Sequence, residues 1–167
     1  LMMADWMGGY PLDGLGALWR VDAKAGVGNP LRVETHEILR AGFARRSEVE
    51  LVTQLAHRDQ RVRQGAQGEL ARRERKEALL VVARSSQAMP FARLHALWGY
   101  GQLLRRNAAE SAPLVALLRD GEPEIRRHSV RMLGDASGAA AKKDGAALVG
   151  LLSDDSPRVR AEAAIAL

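Results

Sequence analysis

Cysteine is absent from the 167 residues. That excludes a disulfide framework, a thiolate metal site and a CxxCH haem attachment within the chain. Aromatic residues are scarce, at 4 % of a chain that is 47 % hydrophobic, so Ala and Leu supply most of the apolar surface. Such a mixture suits closely packed helices and argues against a sandwich or barrel. No apolar run approaches the roughly 18 residues of a membrane-spanning helix, and no signal peptide is visible. There is no phosphate-cradling GxxxxGK[ST], no Ser-His-Asp order with supporting motifs, and no carboxylate pair placed for acid–base work. No catalytic, cofactor-binding or metal-binding residue is therefore expected, and no cofactor. The net charge of +5 is too small by itself to indicate nucleic acid. Its excess lies early in the repeats described next, at +2 over 47–76 and +3 over 77–107.

What the sequence does contain is one unit written several times. LVTQLAHRDQRVRQGAQGEL starts at Leu51, LVALLRDGEPEIRRHSVRML at Leu114 and LVGLLSDDSPRVRAEAAIAL at Leu148. The three share a leading Leu-Val, a second Leu, an (Ile/Val)-Arg pair, a small residue three further on and a Leu four beyond that. The pattern reads as helix, tight turn, helix. Arg63, Arg93, Arg126 and Arg160 align at spacings of 30, 33 and 34 residues, a period that signals a solenoid.

Residues 1–33 lie outside the repeat. Leu1–Trp6 and Leu15–Val21 are short apolar segments of strand character, separated by the turn-rich GGYPLDG, and read as a β-hairpin that packs on the first helices. VDAKAGVGNP reads as an irregular linker. A short opening helix is expected over Glu34–Phe43, stopped by Gly42. Ser47 with Glu50 has capping-box spacing, placing a helix start at Ser47. That helix should run to about Ala56 with Val49, Val52 and Leu55 on one face. Hairpins are expected at about 47–73, 76–106, 109–135 and 142–167, within a repeat domain of 34–167. Pro90, Pro123 and Pro157 suit the first turn of a second helix. Gly99 and Gly101 weaken their helix, and close approach of a neighbouring helix is the expected reason. The buried stripe should include Leu51, Leu55, Val62, Ala66, Leu70, Leu97, Leu114, Leu118, Ile125, Leu133, Leu148, Leu152 and Val159.

LLSDDSPRVRAEAAIAL, read as LxDxxPxVRxxAxxxL, resembles the HEAT-like repeats of the PBS-lyase type, over roughly residues 47–167. The resemblance implies an all-α, right-handed solenoid of about four helical hairpins behind a short N-terminal β segment. A longer likeness covers the whole chain. ADWMGGYPLDGLGALWRV resembles the closing strands of the quinoprotein-like propeller in multidomain dehydrogenase-like proteins. EILRAGFARRSEVELVTQLAHRDQRVRQGAQGELARR and ARLHALWGYGQL resemble the junction and first repeats that follow that propeller, ahead of a c-type cytochrome domain. This likeness implies a middle piece of a secreted or periplasmic redox protein whose active domains lie elsewhere. The chain opens inside LMMADW and stops at Leu167 with a helical pattern still running, as a piece of a longer protein would.

Several polar residues invite a functional reading. Asp120 and Asp154 precede their aligned Arg by six residues and are expected to pair with Arg126 and Arg160 and with free N–H groups at the second helix. His57 and Gln87 stand at the equivalent place in the first two repeats, so Arg63 and Arg93 should need other partners. Alternatively the aligned arginines form an anion-binding face. His36-Glu37 is the lone His-Glu pair, too few ligands for the iron sites of HEAT-like hydroxylases. His95 and Trp98, at i and i+3, read as a packed aromatic pair. Their sharper reading is a stacking platform for a flipped base, as in HEAT-like DNA glycosylases. His57 and His128 read as surface or turn residues. Arg45, Arg46, Arg72, Arg73, Arg75, Lys76, Arg105, Arg106, Lys142 and Lys143 fall at the connections between repeats, which line one edge of a solenoid. Helix dipoles favour cations there, and a basic ridge for an acidic partner is the functional alternative.

The reading is a non-catalytic protein-interaction or interdomain scaffold. Its alternative is a HEAT-like nucleic-acid-binding protein or glycosylase-like enzyme using a basic face. The partner is a protein or neighbouring domain. Self-association is expected through the apolar side of Ala163, Ala164 and Leu167 or through the edge of the N-terminal strand.

Overall fold

The computed structural model describes residues 2–6, 16–20, 26, 28–136 and 145–167. The expected turn GGYPLDG and the residues Lys142 and Lys143 lie outside the described residues. The chain divides into two compact units, Leu1–Glu37 and Ile38–Leu167. In the first, β1 (Met2–Trp6) and β2 (Gly16–Arg20) form an antiparallel two-stranded ladder, with Met2 opposite Arg20 and Trp6 opposite Gly16.

Helix α1 spans Pro30–Ala41, beginning four residues before the expected Glu34. The reason is local: Asn29 Oδ1 accepts from the Arg32 N–H at 3.3 Å, and proline is suited to a first turn, where its missing N–H goes unused. Gly42 follows at φ 72° and ends the helix.

The second unit is an α-solenoid of paired helices. The pairs are α2 (Glu48–Gln54) with α3 (Gln60–Arg72), α4 (Lys76–Arg84) with α5 (Pro90–Arg105), and α6 (Ala112–Leu117) with α7 (Pro123–Gly134). In the fourth pair, residues 145–149 are helical and run into a 3-10 turn at Gly150–Ser153, followed by α8 (Pro157–Ala166). The second helices pack in series: α3 on α5, α5 on α7, α7 on α8. One apolar cluster runs from Leu51 through Leu97 and Leu133 to Val159 and Ala163.

Ser47 caps α2 in a full capping box. Its Oγ accepts from Glu50 N at 3.2 Å, and its own N–H donates to Glu50 Oε2 at 2.7 Å. The ends of α3 and α5 share another device. Glu74 and Asn107 both take a left-handed φ, 55° and 56°. Arg75 N–H reaches Leu70 C=O and Ala108 N–H reaches Leu103 C=O, each at 2.9 Å. These are Schellman closures, and they turn the chain sharply into the next pair.

The two expected weak points in α5 have the expected cause. A Cβ on Gly99 would lie 2.9 Å from Leu79 Cδ2, and one on Gly101 would overlap Met132 Sδ. Glycine lets α4 and α7 close on α5 from two sides.

Of the expected buried stripe, Leu152 departs: it is 43 % exposed. Its counterpart 34 residues earlier, Leu118, is covered at 4 %, in the groove it shares with Ala147 and Leu151 of the next pair. No further pair covers Leu152 among the described residues. Val49, expected to share a face of α2 with Val52 and Leu55, is 77 % exposed. Leu51, Gln54 and Leu55 are buried there, and Val52 is half-buried against the same core. Ala163 points inward and is buried, so the apolar residues left exposed at that end are Ala164, Ile165 and Leu167.

Candidate interaction surface

The aligned arginines occupy the tops of the second helices, beside the turn within each pair. Arg126 shows the arrangement in full. Its Nη1 donates to the backbone C=O of Asp120 and Gly121 at 2.9 and 3.3 Å, closing its own turn. Its Nε and Nη2 donate to the two carboxylate oxygens of Asp154, both at 2.8 Å. Asp154 belongs to the following pair. The two-point match of guanidinium and carboxylate is strong and directional, and this one joins two repeats.

The same relation holds one step earlier. Arg93 Nη2 donates to Asp120 Oδ2 at 2.5 Å and its Nε to Ala83 C=O at 3.0 Å. This corrects the expected ion pairing, although both Asp do accept from backbone N–H groups as expected. Asp120 and Asp154 do not form ion pairs with Arg126 and Arg160 in their own repeats; each serves the arginine of the repeat before. Stacking sets the following turn beside the guanidinium, while the local helix geometry gives the arginine only backbone carbonyls. Each Asp also caps its own turn: Asp120 Oδ1 accepts from Glu122 N–H at 2.9 Å and Asp154 Oδ1 from Ser156 N–H at 2.8 Å. The Arg126 hydrogen bonds hold the Asp154 carboxyl below its usual range, and the Arg126 guanidinium is raised in return.

At Arg63 the carboxylate is missing. Nη1 takes His57 and Arg58 C=O at 2.7 and 2.9 Å, the guanidinium stands 5.0 Å from the Phe91 ring, and Nε is buried without a hydrogen bond. A cation on a ring face replaces part of what the carboxylate supplies elsewhere. Arg160 repeats the turn contacts, with Nη1 on Asp154 C=O at 2.8 Å and Asp155 C=O at 3.2 Å.

His95, Trp98 and His128 stack edge to face, with ring centroids 4.9 and 5.2 Å apart. His95 is 2 % exposed and hydrogen-bonds Gln67 Oε1 through Nδ1 at 2.7 Å. Trp98 is half-buried and donates Nε1–H to His128 Nδ1 at 3.1 Å. Trp98 is thus engaged with its neighbours and does not stand free in a groove. His128 is buried, which corrects its reading as a surface residue: α5 and α7 approach closely at Gly101, and the imidazole packs against Trp98. Arg127 Nη2 stands 2.7 Å from its Nε2. Both hydrogen-bonding neighbours of this ring are obligate donors, so a neutral ring satisfies one and a protonated ring neither, while the Glu124 carboxylate, 3.9 Å from Nε2, is too far for a hydrogen bond. Burial lowers His95 and His128 alike to about 4, with Arg63 and Arg127 respectively adding to the effect.

The connections between pairs carry the expected cations, and several are held. Glu69 receives Arg72 Nη2 and Arg73 Nε, each at 2.6 Å, which brings its carboxyl down to about 2. Arg73 also donates to Arg46 C=O at 2.7 Å and Ala44 C=O at 2.9 Å, tying α3 to the loop before α2. Arg46 donates to Gly42 C=O at 3.1 Å. Arg75 pairs with Glu48 at 3.3 Å and Arg105 with Asp135 at 3.7 Å. Arg45, Lys76 and Arg106 are exposed and form no ion pair among the described residues. His36 and Glu37 are exposed on α1. Among the described residues no group of three or more His, Cys, Asp or Glu gathers where a metal could be held, and no helix is long and apolar enough to cross a membrane.

Residues 111–167 match the family model of HEAT repeats. The third and fourth pairs are thus similar to HEAT repeats, and the first two share their helix-turn-helix plan. No curated protein matches the chain. The HEAT match covers the third and fourth pairs, where both Asp120 and Asp154 lie. The repeats around Arg63 and Arg93 depart from that pattern, with His57 and Gln87 in the turn and an opening of the turn at Ser85–Met89.

Proposed function

We propose that the HEAT-like repeats act as a non-catalytic scaffold that binds an acidic protein or a neighbouring domain along the edge of the repeat connections. The observation that supports this is the set of exposed cations on that edge. Arg45, Lys76 and Arg106 are unpaired among the described residues, and Arg72, Arg75 and Arg105 keep 63 %, 53 % and 43 % of their side chains exposed despite their carboxylates. HEAT repeats commonly serve as protein-interaction scaffolds. The nucleic-acid reading draws on the same cations, but the half-buried Trp98, bonded to His128, offers no open platform for a base.

The test is retention on an immobilised polyanion and on an acidic protein column, across salt. Binding through the ridge weakens steeply between about 50 and 200 mM salt. Replacing Arg45, Lys76 and Arg106 together by Glu should abolish it. Equal retention by this variant, or retention insensitive to salt, contradicts the reading. The likeness of residues 4–21 to closing propeller strands supports an interdomain placement, in which the repeats space the domains of a larger redox protein. Reading the coding DNA on both sides of this segment tests that: flanking propeller and cytochrome sequence is expected, and unrelated sequence would end the idea.

A further inference from the structure

Among the aligned arginines, Arg63 lacks acceptors that Arg93 and Arg126 have. Arg93 sends Nη2 to Asp120 and Nε to Ala83 C=O. Arg126 sends Nε and Nη2 to the two oxygens of Asp154. Arg63 is 9 % exposed, and its Nη1 is engaged by the carbonyls of its own turn. Its Nε–H is shut off from solvent and meets no acceptor. Nη2 makes no hydrogen bond among the described residues either, but it is not shut off as Nε is. A missing neighbour is not the cause, because the following pair is in place, with α5 packed on α3. The turn of that pair holds an exposed Gln87 where the later repeats hold Asp120 and Asp154. Asp59, close by along the chain, is engaged by Arg61 through Nε at 3.0 Å and Nη2 at 2.8 Å. The Phe91 ring lies over the Arg63 guanidinium, 5.0 Å from Cζ, and is itself 59 % exposed. A buried N–H without an acceptor is costly. A carboxylate laid along Nε and Nη2, as Asp154 lies on Arg126, would relieve it.

We propose that Arg63 and Phe91 form a carboxylate-binding site on the turn edge of the first two pairs. One oxygen of the ligand takes Nη2, which solvent reaches. The other takes Nε once the Phe91 ring, already mostly in solvent on the first turn of α5, rotates outward. The ring is thus an occupant that a carboxylate displaces, since a cation on a ring face is held less strongly than a bidentate, charge-assisted pair. The ligand is a carboxylate, carried by an acidic side chain of a protein or by a free small acid. The site lies on the opposite edge from the cations of the repeat connections, and it does not rest on the scaffold reading.

Acetate is the probe, and the nitrogen–proton NMR signal of Arg63 Nε, assigned through its own side-chain carbons, is the readout. Titrating the 167-residue chain with sodium acetate should move this signal saturably, and sodium chloride at the same ionic strength should not. Phe91→Ala removes the ring to be displaced and should tighten acetate binding about 2- to 5-fold. Phe91→Glu places a carboxylate beside Arg63 within the chain and should abolish the acetate response, whereas Phe91→Gln should keep it. Residue 91 is exposed, so these variants probe the site without emptying the core. A signal unmoved by acetate, one that chloride moves equally, weaker binding in Phe91→Ala, or a response that survives Phe91→Glu would leave water as the occupant and overturn the proposal. A blocked Gly-Asp-Gly peptide separates the two sources. Binding tighter than acetate assigns the site to an acidic side chain, and binding no tighter assigns it to a free small carboxylate. Replacing Arg45, Lys76 and Arg106 by Glu should leave the acetate response in place, so failure of the basic ridge and failure of this site are told apart.

Discussion

Buried imidazoles make the clearest statement at the scale of single residues. His95 and His128 are held neutral in the fold, at about 4 against 6.5 for a free side chain. Between those values the unfolded chain binds the protons and the folded chain does not. Stability is therefore full above pH 6.5 and falls as pH drops from 6.5 toward 4, by on the order of 1–3 kcal/mol for each histidine. Below about pH 4.5 the carboxyls of Asp59 and Glu69, both lowered to about 2, continue the loss in the same direction. Urea midpoints across pH should show this slope, and His128→Gln should flatten its upper part. A midpoint unchanged from pH 7 to 5 would contradict the burial of these rings. The histidine stack was only half legible beforehand. His95 and Trp98 share a helix, so their pairing follows from i, i+3 spacing. His128 comes from the next repeat, and nothing local announces it.

At the scale of elements, backbone geometry decides two cases. Glu74 carries a left-handed φ of 55° at the position where glycine is favoured after a helix. Glu74→Gly should stabilise the chain by about 0.5–1 kcal/mol, measured as a rise in the denaturation midpoint; a fall would mean that the Schellman closure after α3 is not formed. Gly101→Ala tests the opposite kind of glycine. Alanine gains about 1 kcal/mol of helix propensity, but its methyl would meet Met132 Sδ. Overpacking costs about 1–3 kcal/mol, so the net effect should be a loss. Ser47 with Glu50 and the prolines at 90, 123 and 157 could be read from sequence because caps and first turns are local. The start of α1 was misplaced because apolar spacing is silent over its first turn, which Asn29 and Pro30 define. Val49 has the helical spacing of Val52 and Leu55 yet is exposed, because Leu51, beside that face, takes the buried place, and spacing alone does not choose between them.

For the whole molecule, stability resides between repeats as much as within them. Each repeat leaves a guanidinium and a row of Leu, Val and Ala for the next to cover, so neighbours fold as a coupled series. The period of the aligned arginines revealed the solenoid because every copy repeats the same inward rows. It did not reveal the partner of each arginine. Local spacing offers a carboxylate six residues away along the chain, whereas stacking delivers one from 27 or 28 residues downstream. Leu152 was missed for the same reason: its burial depends on what covers the repeat, not on its own helix. Arg160→Ala should change stability by less than about 0.5 kcal/mol, while Arg126→Ala should cost about 2–4 kcal/mol by leaving the Asp154 side chain covered and without its cation.

The most direct measurement is a pair of double-mutant cycles by urea denaturation, one on Arg126 with Asp154 and one on Arg160 with Asp154. A coupling of about 1.5–3 kcal/mol is expected in the first and less than about 0.5 kcal/mol in the second. Coupling confined to Arg160 and Asp154 would place the ion pair inside the repeat and contradict the inter-repeat ladder.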